Sequence, residues 1–144
     1  LELGLATQEL DGARMTALLA TAKQLGSDFE LRSLLERVAP RGGDPEVAAS
    51  YLSAARELDS DFERRTALVA LLTEAKLDNP GLATTLDVAA ELDSDFEKRT
   101  LLELLASQVA SEPELNRRFR EVARGLGEFE RGQALRALDD ATAL

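Results

Sequence analysis

Apolar residues along this chain recur in helical steps. Leu68, Leu71, Leu72 and Ala75 are spaced by three and four, as are Leu102, Leu105, Ala106 and Val109. Such spacing gathers one apolar stripe on a helix of about 3.6 residues per turn. A second kind of stripe runs through Val47, Tyr51, Ala54, Ala55 and Leu58, and again through Leu82, Leu86, Ala89 and Ala90. The pattern predicts helices near 11–25, 28–39, 45–58, 61–76, 80–92, 95–110, 112–126 and 128–142, with residues 1–10 as the tail of a further helix. The links are Pro40-Arg41-Gly42-Gly43 and Leu77-Asp78-Asn79, and tight Leu-Asp-Ser or Leu-Gly-Ser turns.

The stripes belong to a repeat. Leu58-Asp59-Ser60-Asp61-Phe62-Glu63 returns 34 residues later as Leu92-Asp93-Ser94-Asp95-Phe96-Glu97, and stands 33 residues earlier as Leu25-Gly26-Ser27-Asp28-Phe29-Glu30. A last copy, Leu126-Gly127-Glu128-Phe129-Glu130, is one residue shorter. Arg32, Arg65 and Arg99 follow each serine by five positions. One helix pair cannot bury its own stripe, whereas stacked pairs can. The expected fold is therefore all-α: a single repeat domain over 1–144, an α-solenoid or right-handed-type superhelix of about four two-helix repeats and eight helices. The units fall near 11–39, 45–76, 80–110 and 112–142.

Each copy contains a helix start. Ser27, Ser60 and Ser94 are placed to cap an orphan amide, and Glu30, Glu63 and Glu97 lie three residues on, where a carboxylate can reach back to the cap. Asp28, Asp61 and Asp95 put negative charge in the first turn, matching the helix dipole. Asp44-Pro45, Asn79-Pro80 and Ser111-Glu112-Pro113-Glu114 mark the starts of the intervening helices. Phe29, Phe62, Phe96 and Phe129 read as plugs packed between repeats. The recurring arginines read as a ladder between units, Arg65 reaching Asp95 or Asp61.

Composition narrows the function classes. The 144 residues carry a formal charge of −10, which disfavours nucleic acid and anionic membrane surfaces. The chain has no Cys and no His, which removes disulfides, thiol nucleophiles, and the commonest general base and metal ligand. Ile is absent and aromatics are 4%, which suits closely spaced Leu/Ala helices. The longest apolar run, Ala67 to Leu72, is too short for a membrane span. Gly42-Gly43 lacks any phosphate-loop context, and the paired carboxylates Asp139-Asp140 and Glu112/Glu114 encode no cleft. No catalytic, cofactor or metal residue is expected.

Candidate contacts for a protein or peptide partner are Arg117, Arg120 and Arg124, spaced as one basic stripe with Arg118 alongside, together with Arg56 and the lone Tyr51. Ser50, Ser53, Thr84, Asp87 and Glu91 lie on the same class of helix.

The phrase Tyr51-Leu52-Ser53-Ala54-Ala55 through Ser60-Asp61-Phe62-Glu63-Arg64-Arg65 resembles bacterial α-helical two-helix repeats of HEAT or tetratricopeptide type, some of them appended to membrane metallopeptidases of the β-lactam-sensor type. The tetratricopeptide Trp, Leu-Gly and Tyr positions do not align, and HExxH is missing. The resemblance covers most of residues 11–142 and implies an accessory or sensory module. The sequence thus predicts a non-catalytic interaction scaffold, with a structural spacer or self-association module as the alternative. The start at Leu1 reads as a processed product or excised fragment, and the compartment is bacterial cytoplasmic or extracytoplasmic.

Overall fold

A computed structural model describes residues 12–22, 24 and 27–143, and these contain no strand. Eight helices run in order: α1 (Gly12–Ala22), α2 (Asp28–Val38), α3 (Pro45–Ala55), α4 (Asp61–Glu74), α5 (Asn79–Ala90), α6 (Asp95–Val109), α7 (Pro113–Arg124) and α8 (Glu128–Thr142), with a 3-10 turn over Ala39–Arg41. The fold is all-α, and each helix falls within three residues of its expected start and end. The helix tail expected over 1–10, and the Leu25-Gly26 part of the first copy, lie outside the described residues.

The chain forms two compact units, Leu1–Gly81 and Leu82–Leu144. In the first, α1 packs on α3 and α2 on α4, so each helix rests on the one two places along, as in a solenoid. In the second, α6 packs on α8, with α7 against both. The core is leucine and alanine at the predicted positions. Leu68, Leu71, Leu102, Leu105, Val109, Leu58 and Leu86 have no exposed surface, although Ala90 is exposed.

The helix starts follow the sequence in one half only. Ser27, Ser60 and Ser94 Oγ accept from the amides of Glu30, Glu63 and Glu97 at 3.3, 3.4 and 3.2 Å. Glu63 does not return the bond to the Ser60 amide. Instead the amides of Asp59 and Ser60 each donate to the Asp28 carboxylate of the preceding repeat at 2.9 Å. In the second unit Gly127 N–H donates likewise to Asp95 Oδ2 at 2.9 Å. Because the aspartate already satisfies the cap amide, Glu63 is free to accept from Arg32 Nε at 2.6 Å, and Glu130 accepts from Arg99 Nε. The arginine ladder therefore exists at Arg32 and Arg99, whose rungs end on the box glutamate of the next repeat. Each guanidinium is held above its ordinary pKa, first by that hydrogen bond and then by neighbouring glutamates.

The intervening helices start as follows. Asp44 Oδ1 caps α3 through the Glu46 amide at 2.9 Å, with Pro45 at the first helical position. For α5 the cap is Asp78, one residue before the expected Asn79, accepting from Gly81 N–H at 2.8 Å. For α7 the cap position is Glu112, with no side-chain bond, so the box expected at Ser111 is not formed. The Pro40–Gly43 link is more than a spacer. A methyl built on Gly42 would stand 2.4 Å from Leu71 Cδ1, so the missing side chain lets the 3-10 turn press onto α4.

Two aromatic residues are fully enclosed, Tyr51 in α3 and Phe119 in α7. Each follows its helix-start proline by six positions, where α5 has Leu86. Tyr51 Oη donates to Ala67 O on α4 at 2.6 Å. Burial, aided by the charge of Glu36, pushes the phenol above its usual pKa.

Two outcomes follow. Asp28→Ala removes one acceptor from two backbone amides and should lower unfolding free energy by about 1 kcal/mol, the scale of a lost helix cap. Urea denaturation against Asp28→Asn measures this. Tyr51 remains neutral in the folded state, whereas an unfolded tyrosine ionises near pH ~10. The folded state thus holds the proton more tightly, and stability falls as pH rises above that value. Absorbance at the phenolate band during an alkaline titration should rise only together with loss of helical circular dichroism.

Candidate interaction surface

The four recurring phenylalanines are not plugs. Phe29, Phe62, Phe96 and Phe129 are 64, 55, 57 and 68% exposed. The cause is helical phase. Each ring precedes by nine residues a position with no exposed surface: Val38, Leu71, Leu105 and Leu138. Nine residues at about 100° each make two and a half turns, which sets the ring on the opposite side from the core. In the first unit two rings stand on the packed pair α2 and α4, and in the second two stand on α6 and α8.

Three of the rings carry a cation. The guanidinium carbons of Arg32, Arg65 and Arg99 lie 5.3 Å from the centroids of Phe29, Phe62 and Phe96. Residues three apart on a helix are neighbours, and a guanidinium over a ring is attracted by its quadrupole. Arg32 and Arg99 are further held by Glu36 and Glu103, one turn on. The ledges at Phe29 and Phe96 are thus exposed rings whose covering cation is tied down at the repeat joint.

Two arginines of the predicted basic stripe on α7, Arg117 and Arg120, are charge-compensated. Arg117 pairs with Glu114 and Glu121. Arg118 pairs with Asp87 of α5 at 3.0 Å, and Arg120 with Asp139 of α8 at 3.1 Å and Asn116 at 2.9 Å. The bond from Arg117 holds the Glu114 carboxyl below its ordinary pKa and raises that of the arginine. Arg124 is exposed in the last turn of α7, where it complements the helix dipole. Arg117, Arg118, Asp87, Glu121 and Val122 line an open depression of about 310 Å³.

Other expected contacts are distributed as follows. Ser50 and Ser53 line a smaller depression of about 200 Å³ with Thr16, Ala20 and Ala49. Arg56 is exposed just past α3, and Glu91 just past α5, while Thr84 is half-buried. Tyr51 presents no surface to a partner, because its ring lies in the core and its hydroxyl is spent on Ala67. Among the described residues no group of three or more carboxylates is placed to hold a metal ion, and no helix is long and apolar enough to cross a membrane.

Residues that the sequence reading overlooked are Asp28 and Asp95 as cross-repeat caps, Phe119 as a core ring, and Gly132 on α8. Gly132 occupies the place that Arg32, Arg65 and Arg99 hold in the other copies, three residues after the phenylalanine. Comparison with known protein families, with curated proteins and with solved structures gives no match.

The two classes of phenylalanine should separate cleanly. Phe119→Ala empties a closed site and should cost about 3–5 kcal/mol. Phe62→Ala gives up an exposed ring and a surface cation contact, at a cost below about 1 kcal/mol. Guanidinium denaturation of both variants is the measurement.

Proposed function

We propose that this chain is a non-catalytic repeat module that binds another protein or a peptide through its exposed phenylalanine ledges. One observation carries the reading. A large apolar side chain stands outside the core at the same helix position in all four copies, and three copies fix an arginine over it. Nothing in folding calls for this. Each exposed ring forgoes burial energy of the order of 2 kcal/mol, and an apolar patch repeated on a surface is a mark of interaction sites. Aromatic and arginine side chains are also the types enriched at the energetic centres of interfaces.

The α7 face is a weaker candidate, since a partner must first displace the existing ion pairs of Arg117 and Arg120 there. The resemblance of Tyr51 through Arg65 to repeats that accompany bacterial membrane metallopeptidases fits an accessory or sensory role. Self-association is the second reading, favoured by the same rings, because another copy of the chain could cover them.

The test replaces the four ledge phenylalanines with serine and compares the proteins captured by the wild type and the variant in extracts of the producing cells. Arg117/Arg120/Arg124→Glu serves as the second comparison. Loss of captured partners with the serine variant, at unchanged helical circular dichroism, is the expected result. An identical captured set would overturn the ledge reading. Light scattering across a concentration series separates the two readings: a constant monomer mass rejects self-association.

A further inference from the structure

The fourth ledge differs from the other three in one residue. Arg32, Arg65 and Arg99 each cover the ring three positions before them, whereas Phe129 is followed at that distance by Gly132. Phe129 is accordingly the most exposed of the four rings. A methyl built at Gly132 would meet no heavy atom within 4 Å, so packing does not require a glycine there. Helix propensity opposes it too, since glycine inside a helix costs about 1 kcal/mol relative to alanine. The bare backbone opens a shallow depression of about 470 Å³ lined by Glu128, Phe129, Gly132, Gln133 and Arg136.

We propose that this depression receives an arginine side chain from a partner protein, which takes the place over the ring that the chain's own arginine takes in the other copies. The proposal rests on the binding-module reading and names one contact within it. The fold itself shows what covers this ring: a guanidinium about one helical turn along, in three copies of three. Removing that side chain leaves the ring, the turn and the acidic first-turn residue in place. The Glu128 carboxylate has no partner among the described residues and stands on the rim beside the ring. The chain's formal charge of −10 favours approach of a cationic guest. Arg136 on the same rim disfavours a guest that carries a run of basic residues.

The test follows the Phe129 ring resonances in the full chain by nuclear magnetic resonance, during titration with capped Gly-Arg-Gly. Capped Gly-norleucine-Gly and Gly-Glu-Gly are the controls. The expected result is a saturable shift of the Phe129 ring signals with the arginine peptide, at least several-fold larger than with either control. Gly132→Arg should abolish that shift by supplying the cation internally, and Gly132→Ala should keep it; both should retain the helical circular dichroism. An equal response to norleucine would make the depression an apolar contact and overturn the assignment, as would a response that survives in Gly132→Arg. Either failure leaves the ledge reading intact, because that reading is judged by partner capture with the serine variant.

Discussion

The joint between repeats rests on a carboxylate supplied by the preceding repeat. A helix start leaves several backbone amides without partners, and a serine satisfies only one of them. In both units the missing acceptor comes from the helix two places back: Asp28 for the turn at Asp59-Ser60, and Asp95 for Gly127. The glutamate that would otherwise fold back is released toward an arginine, and that arginine is the one stacked on phenylalanine. Cap, ion pair and exposed ring form one connected arrangement. A helix in this array is thus finished by its neighbour, which makes local order depend on stacking, as expected where repeats gain stability mainly across their interfaces.

That arrangement also explains why the surface and the core could be confused. A ring that recurs with the repeat period is conspicuous in the sequence, but the period says only that the environment recurs, not which environment it is. Phase within the helix decides. Counting nine residues from Phe62 to Leu71, or from Phe96 to Leu105, would have put the rings outward. The buried aromatic positions, Tyr51 and Phe119, share a different register, six residues after Pro45 and Pro113.

Helix positions were the most readable feature, because periodic leucines, serine caps and prolines at helix starts all state the same boundary. The acceptors at the joints were not. Asp28 and Asp95 sit in first turns, where an acidic residue already has a sufficient local reason in the helix dipole. Only the distance across to the next turn shows their second role. The α7 arginines illustrate the opposite limit. Their spacing was visible, as were the Arg117 partners Glu114 and Glu121 on the same helix, but Asp87 and Asp139, which hold Arg118 and Arg120, come from other helices.

The chain has one tyrosine and no tryptophan, and that tyrosine lies in the first unit. Its intrinsic fluorescence therefore senses Leu1–Gly81 alone, whereas far-ultraviolet ellipticity sums over every helix. Superimposable melting curves from the two signals would mark a single cooperative transition, and separated curves would give each unit its own midpoint without any label being introduced.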